Sequence, residues 1–174
     1  TRSLVGASDV YKRQNLYLAY FDHWVKEDLA RMVMAKFGVK IYYYRYMDDI
    51  VVLCSSKEAL HFILDMMGLY LASKLKLEIK PNWQIFPVDD RCIDYVGFKQ
   101  NHYGILLRKG ILMRFYRKLN KVKKRYEIKD MNDVKHLFPS EYGWVIRCSE
   151  EHSKFIFNKC LNNGNNRIIY RVAG

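Results

Sequence analysis

No run of apolar residues in this 174-residue chain approaches the roughly 18 that a membrane-spanning helix needs, so the sequence predicts no span and no membrane partner. No apolar segment follows a basic start at the N-terminus, and no secretory signal is read there. Cysteine is scarce and unpaired in pattern. Cys54, Cys92, Cys148 and Cys160 include no C-x-x-C pair, and their irregular spacing reads as reduced thiols in a cytoplasmic setting. Cys148, His152 and Cys160 would make three zinc ligands in a stretch that reads as helix, whereas a structural zinc site needs four. No internal repeat and no low-complexity tract is present. Acidic residues are outnumbered, 18 against 30 Lys and Arg, which leaves a net charge of +12. That excess implies a polyanionic partner, either nucleic acid or an acidic membrane surface.

What is present is globular. Hydrophobic residues make up 50% and charged residues 28%, enough for an ordinary core in one domain or two small ones. The first stretch, TRSLVGASDVYKRQ (1–14), has no clean helical or strand period. It resembles a translated sequencing-adapter read, and the competing reading is a native flexible tail. No structural role is expected of it in either case.

From Asn15 to about Phe37, Leu18, Phe21, Val25, Leu29 and Met32 recur at three- and four-residue steps and predict a helix, with Gly38 placed to cap its end. Lys40–Tyr46 and Ile50–Cys54 read as two strands of a tight hairpin joined by Met47-Asp48-Asp49. Ser55 and Glu58 have capping-box spacing at the start of a second helix, in which Leu60, Ile63, Leu64, Met67 and Leu71 line one face. Leu75–Ile79 alternates as a half-buried strand would, up to the break at Pro81-Asn82, and Gln84–Val88 reads as extended. Cys92–Lys99 and Gly104–Arg108 predict another hairpin, turning at Asn101–Gly104. From Ile111 the pattern is helical, with Ile111, Phe115, Leu119, Val122 and Tyr126 on one face. Ser140–Cys148 and Ser149–Leu161 predict two further helices, followed by a tail at 162–174. The fold class is therefore α+β, and the expected boundary lies near Lys109–Gly110, where sheet and helix give way to helix alone.

The run YYYRYMDDIVVL (Tyr42–Leu53) carries two adjacent carboxylates, Asp48 and Asp49, between strands that are otherwise aromatic and aliphatic apart from Arg45. Two neighbouring carboxylates repel, and a hard divalent cation removes the repulsion. Mg²⁺ (or Mn²⁺) takes oxygen ligands and is commonly held by one or two carboxylates together with substrate phosphates. Such a pair suits in-line displacement at phosphorus. The competing reading is a surface turn, in which Asp is favoured by turn geometry alone.

Tyr46-Met47-Asp48-Asp49 resembles the Y-x-D-D motif of reverse transcriptases. Asn15-Leu16-Tyr17-Leu18, the helix after Ser55, Leu75-Lys76-Leu77 with the Pro81 break, Tyr95-Val96-Gly97-Phe98 and Leu106-Leu107-Arg108-Lys109 are similar, in the same order, to elements of bacterial and phage retroelement enzymes. Those include enzymes of diversity-generating retroelements, group II introns and retrons. The resemblance implies part of a right-hand polymerase palm over 15–109 and a thumb-like helical region over 110–161. It further implies an RNA-directed DNA polymerase with an RNA template, a DNA primer, deoxynucleotide substrates and a bacterial or phage-infected cytoplasm. Asp48 and Asp49 would be the catalytic Mg²⁺ ligands, with Tyr46 and Met47 beside the primer terminus. Lys80 would protonate leaving pyrophosphate, a role that competes with that of a solvated surface lysine. Gly97 and Phe98 would shape the primer grip.

Between Lys99 and Lys129 eleven basic residues face one acid, Glu127. Arg114, Arg117, Lys118, Lys121, Lys124 and Arg125, with Arg108 and Lys109 before them, would form a positive stripe that binds a template–primer duplex without reading its sequence. A solvated helix face and a membrane-surface helix are the competing readings. Trp83 and Trp144 are read as half-buried aromatics, with base stacking the alternative. The family's third catalytic carboxylate, its fingers and its nucleotide-binding elements have no counterpart before Asn15, and Asp22, Asp28 and Asp65 fall in expected helices. The chain alone is therefore expected to be inactive. A non-catalytic nucleic-acid-binding module is the alternative function. An RNA-templated RNA polymerase is disfavoured, because those enzymes usually carry Gly before the paired aspartates.

Overall fold

The computed structural model describes residues 7–161. The expected tail at 162–174, and residues 1–6 of the expected leader, lie outside them. The architecture is α+β with two small antiparallel sheets. The chain divides into two compact units, and the break falls between Pro87 and Val88, not at Lys109–Gly110.

In the first unit α1 (Ala7–Trp24) passes through a π-helical turn (Val25–Leu29) into α2 (Ala30–Phe37). The helix thus begins within the stretch expected to lack structure. Phe21, Val25, Leu29 and Val33 are all fully buried. They are four residues apart, and each such step overshoots a 3.6-residue turn by about 40°. The wider π turn absorbs that drift and keeps all four on one face. It also shifts the phase by one residue. Val33 takes the place expected for Met32, which is exposed. Gly38 ends α2 in the left-handed conformation, its N–H donating to the Met34 carbonyl at 2.9 Å, as a C-terminal cap should.

β1 (Ile41–Tyr46) and β2 (Asp49–Cys54) pair antiparallel with Tyr46 opposite Asp49, which leaves a two-residue loop, Met47-Asp48. α3 (Lys57–Tyr70) follows and runs into a second π turn (Leu71–Leu75). Its cap is Ser56 rather than Ser55, with the hydroxyl accepting from the Ala59 N–H at 3.1 Å. Ala59, Ile63, Met67 and Leu71 are buried, again at four-residue steps, while Leu60 and Leu64 sit at the margin. They close one core with Phe21, Val25, Leu29 and Val33. Burial of a large apolar side chain stabilises by about 2 kcal/mol. The strand expected at Leu75–Ile79 is absent, because the helical path continues to Leu75 and ends at Lys76 with φ +55°. No strand is formed at Gln84–Val88.

The second unit opens with a three-stranded meander, β3 (Ile93–Tyr95), β4 (Phe98–Asn101) and β5 (Gly104–Leu107). The single strand expected over Cys92–Lys99 is folded at Val96-Gly97, both with positive φ (47° and 82°), the signature of a type I′ hairpin turn. α4 (Lys109–Lys123), α5 (Met131–Leu137), α6 (Pro139–Val145) and α7 (Glu150–Leu161) complete it. Phe98 and Leu107 from the sheet share one core with Leu112, Phe115, Leu119, Val134, Val145 and Ile156 from the helices. The Ser149 N–H and hydroxyl both donate to the Ile105 carbonyl, at 2.9 and 3.2 Å. That shared core explains why the sheet belongs with the helices and why the break precedes it. α5 was not expected. Its signal is Asp130-Met131-Asn132-Asp133, a reciprocal cap in which the Asp130 side chain accepts from the Asp133 N–H at 2.9 Å.

A methyl group at Gly97 would lie 2.7 Å from Ile111 Cδ1 and 2.8 Å from Trp144 Cζ3, at a φ of +82°. Gly97→Ala is expected to destabilise the second unit by about 2–4 kcal/mol. Gly143→Ala, where nothing lies within 4 Å, should stabilise it by about 0.5–1 kcal/mol. Urea unfolding midpoints of the two variants provide the check.

Candidate metal-binding hairpin and basic helix

The β1–β2 hairpin has two unlike faces. Ile41 and Tyr43 on β1, with Ile50, Val52 and Cys54 on β2, pack against the first core. Tyr42, Tyr44 and Tyr46 on the opposite face are each more than half exposed. The aromatic and aliphatic flanks read from the sequence therefore do not enclose the turn. A two-stranded ribbon has two sides, and among the described residues only one is covered. Asp48 and Asp49 are exposed at its end.

Lys80, in the loop before Pro81, reaches this turn. Its Nζ lies 3.7 Å from Asp48 Oδ2, with both side chains more than three-quarters exposed. The structure thus brings together three of the residues singled out from sequence, Asp48, Asp49 and Lys80. At such exposure the pair contributes little to stability.

Holding the hairpin from beneath is a polar network that sequence reasoning missed. The Arg45 side chain is only 8% exposed and that of Asp22, on α1, 21%. Arg45 Nε and Nη2 donate to the two Asp22 carboxylate oxygens at 2.7 and 2.6 Å, a two-point fork. Its Nη1 donates to the Met47 carbonyl at 2.8 Å and to Asn15 Oδ1 at 3.1 Å. The Tyr43 hydroxyl donates to Asp22 Oδ1 at 2.7 Å. The available signal was Arg45 itself. It follows Ile41 and Tyr43 on the covered face of β1, and a covered guanidinium requires a carboxylate partner.

Burial raises the Asp22 carboxyl pKa, but hydrogen bonds from Arg45 and Tyr43 and the charges of Arg45 and Lys26 outweigh it and leave it below its ordinary 3.8. Burial, and then the bond to Asp22, raise the Tyr43 phenol.

The basic helix stands on its own core. Leu112, Phe115, Tyr116 and Leu119 are buried. Leu112 and Tyr116 join the expected face, whereas Tyr126 lies past the helix end and is exposed. Arg114, Arg117, Lys118 and Lys121 are exposed on α4 at the steps that make a stripe, and Lys124 and Arg125, also exposed, follow the helix end at Lys123. Several of the expected contact residues also bind within the unit, Arg114 through its Nε, which donates to the Gly110 carbonyl at 3.3 Å. Lys118 pairs with Glu141, and Arg108 pairs with Asp94, its Nη2 and Nε lying 2.6 and 2.8 Å from Oδ1. Burial raises the Glu141 pKa, but the hydrogen bond from Lys118, a backbone hydrogen bond and the Lys118 charge together outweigh it, and the net shift is downward. Lys109 is exposed at the start of α4.

Phe98 is a core residue tilted against Trp144 with ring centroids 5.1 Å apart. Its bearing on a primer would come through the position of the hairpin rather than by contact. Trp83 is half exposed, with its ring edge-on to His61. Burial pushes the Cys148 and Cys160 thiols up to about 11, the state of inert core cysteines.

Two exposed carboxylates on adjacent residues fit one hard divalent cation that keeps most of its shell as water or phosphate oxygen. Among the described residues no group of three or more His, Cys, Asp or Glu side chains converges. No protein-family model matches this chain, and no curated protein is significantly similar to it.

Because the folded Asp22 pKa is depressed, its contribution to stability is present above about pH 4 and is lost as pH falls through the folded value. Urea midpoints measured from pH 6 to pH 2 should fall more steeply in the parent chain than in Asp22→Asn. In thiol titration under native conditions, Cys148 and Cys160 should react at least about tenfold more slowly than after denaturation.

Proposed function

We propose that this chain is the catalytic hairpin and thumb-like part of an RNA-directed DNA polymerase of the retroelement type. The observation that carries this reading is the pairing of adjacent aspartates with a tight two-residue turn. Asp48 and Asp49 stand exposed at the tip of an antiparallel hairpin whose other end is anchored in a core. They are thus available to a ligand approaching from solvent. The Y-x-D-D resemblance over Tyr46–Asp49 gives the reading its class.

In this reading Asp48 and Asp49 hold Mg²⁺, which supplies charge neutralisation for phosphoryl transfer when bound. Lys80, 3.7 Å from Asp48, is placed to offer a proton or positive charge to a departing pyrophosphate. Tyr46 and Met47 flank the carboxylates on the primer side. In the second unit, the exposed stripe of Arg114, Arg117, Lys121, Lys124 and Arg125 binds duplex phosphates in a sequence-independent manner, with Arg108 and Lys118 partly engaged by Asp94 and Glu141. RNA template, DNA primer and deoxynucleotides are the partners of the whole protein. This chain supplies two carboxylates of a site whose chemistry calls for more ligands.

One observation favours a second reading, a non-catalytic nucleic-acid-binding module. The basic helix folds on a core of its own, in a unit separate from the hairpin. Binding by that face requires nothing from Asp48 or Asp49.

Primer extension on an RNA template separates the two. This chain fused to an upstream segment that supplies a further carboxylate and fingers should synthesise DNA only with Mg²⁺ or Mn²⁺ and should lose at least about 10³-fold of that activity on Asp48→Asn. The chain by itself should not extend primer. An extended protein that binds duplex but never polymerises would leave the binding-module reading standing. For either reading, duplex affinity should fall as salt rises. Arg117→Gln with Lys121→Gln should flatten the log–log salt dependence by about 0.9 per lost contact.

A further inference from the structure

The geometry points to Arg45 and Asp22 as positioning residues for the Asp48-Asp49 turn, acting through the Met47 carbonyl; for the metal, this rests on the reading proposed above. Met47 is the first of the two loop residues and has φ +57°, a conformation L side chains rarely adopt. In the β3–β4 hairpin the corresponding loop, Val96-Gly97, contains a glycine and is walled by Ile111 and Trp144. Met47-Asp48 has no glycine. Such a turn persists where its surroundings over-determine it.

Arg45 supplies that constraint. Its guanidinium is planar and cannot turn at one nitrogen without turning at all of them. Asp22 grips Nε and Nη2, and Asn15 takes one proton of Nη1. The remaining direction of Nη1 is thereby aimed at the Met47 carbonyl, 2.8 Å away. The Tyr43 hydroxyl on Asp22 holds the carboxylate in turn. A chain of contacts therefore runs from α1, through a nearly covered ion pair, to the peptide that joins Met47 to Asp48.

Stability alone does not account for the pair. It sits where apolar side chains of similar volume would be tolerated or preferred. The bond to the turn is what an apolar replacement would lack.

The test uses the chain as it stands, with Mn²⁺ as the probe and paramagnetic broadening of the Asp48 and Asp49 amides as the readout of local binding. Met47 backbone couplings and shifts report the turn, and thermal midpoints report the fold. Arg45→Lys keeps a positive charge for Asp22 but cannot also hold the carbonyl. It should weaken Mn²⁺ binding by about tenfold and shift Met47 away from positive φ. Adding Met47→Gly to Arg45→Lys should restore most of the affinity, because glycine adopts the turn unaided. A merely structural ion pair would not be rescued in this way. The double replacement Asp22→Leu with Arg45→Met should keep a cooperative unfolding transition and still lose the turn. The proposal is overturned if Arg45→Lys binds Mn²⁺ like the parent, or if Met47→Gly recovers nothing. Should the parent show no broadening that Asp48→Asn removes, the metal reading fails. The Met47 signals then decide the positioning role by themselves, and a Met47 unchanged in Arg45→Lys overturns it.

Discussion

The Arg45 guanidinium joins the helical and sheet parts of the first unit through a single planar group. It is nearly covered, so its charge is sustained only by the matching carboxylate of Asp22 on α1. Because that carboxylate is engaged at both oxygens, the guanidinium plane is set, and with it the orientation of the β1–β2 turn. The packed faces of α1, α2 and α3 fix where the hairpin lies, and the ion pair fixes how its tip is turned. The exposed position of Asp48 and Asp49 follows from both.

The second unit is organised differently. It places its charges outward on α4 and uses a contiguous apolar core to hold sheet and helices together. At Gly97 that core leaves no room, since both its positive φ and its closeness to Trp144 and Ile111 exclude a side chain. Where the first unit arranges a small number of polar groups around one tip, the second presents a broad positive face. In the proposed reading, local chemistry belongs to the one and non-specific affinity to the other. This division is what the polymerase reading would require of a catalytic element and a duplex-holding element.

Much of this was legible in the residues because it depends on local pattern. The helix through Phe37 and its Gly38 cap, the hairpin turning at Met47-Asp48-Asp49, the helix after Ser55 and the basic helix from Ile111 follow from short-range periodicity and turn chemistry, and the structure forms each with its ends shifted. Errors arose where periodicity broke its own rule. The π turn at Val25–Leu29 exchanged Met32 for Val33, and the one at Leu71–Leu75 carried helix into a stretch whose alternation imitated a strand. Val96-Gly97 was legible as a turn only after its pairing of Tyr95 with Phe98 was known. Asp130–Asp133, by contrast, was a capping signal that could have been read.

The sequence by itself determined the α+β class, the position of the paired aspartates on a tight turn and the basic face of α4. Each of these rests on residues within a few positions of one another. Tertiary structure alone decided that Lys80 meets Asp48, that Asp22 and Arg45 lie beneath the turn, and that β3–β5 fold with the helices that follow rather than the hairpin that precedes. Those outcomes join residues far apart in the chain. Burial, charge pairing and space select such contacts, and no local pattern encodes which distant side chain will satisfy a given guanidinium or fill a given gap.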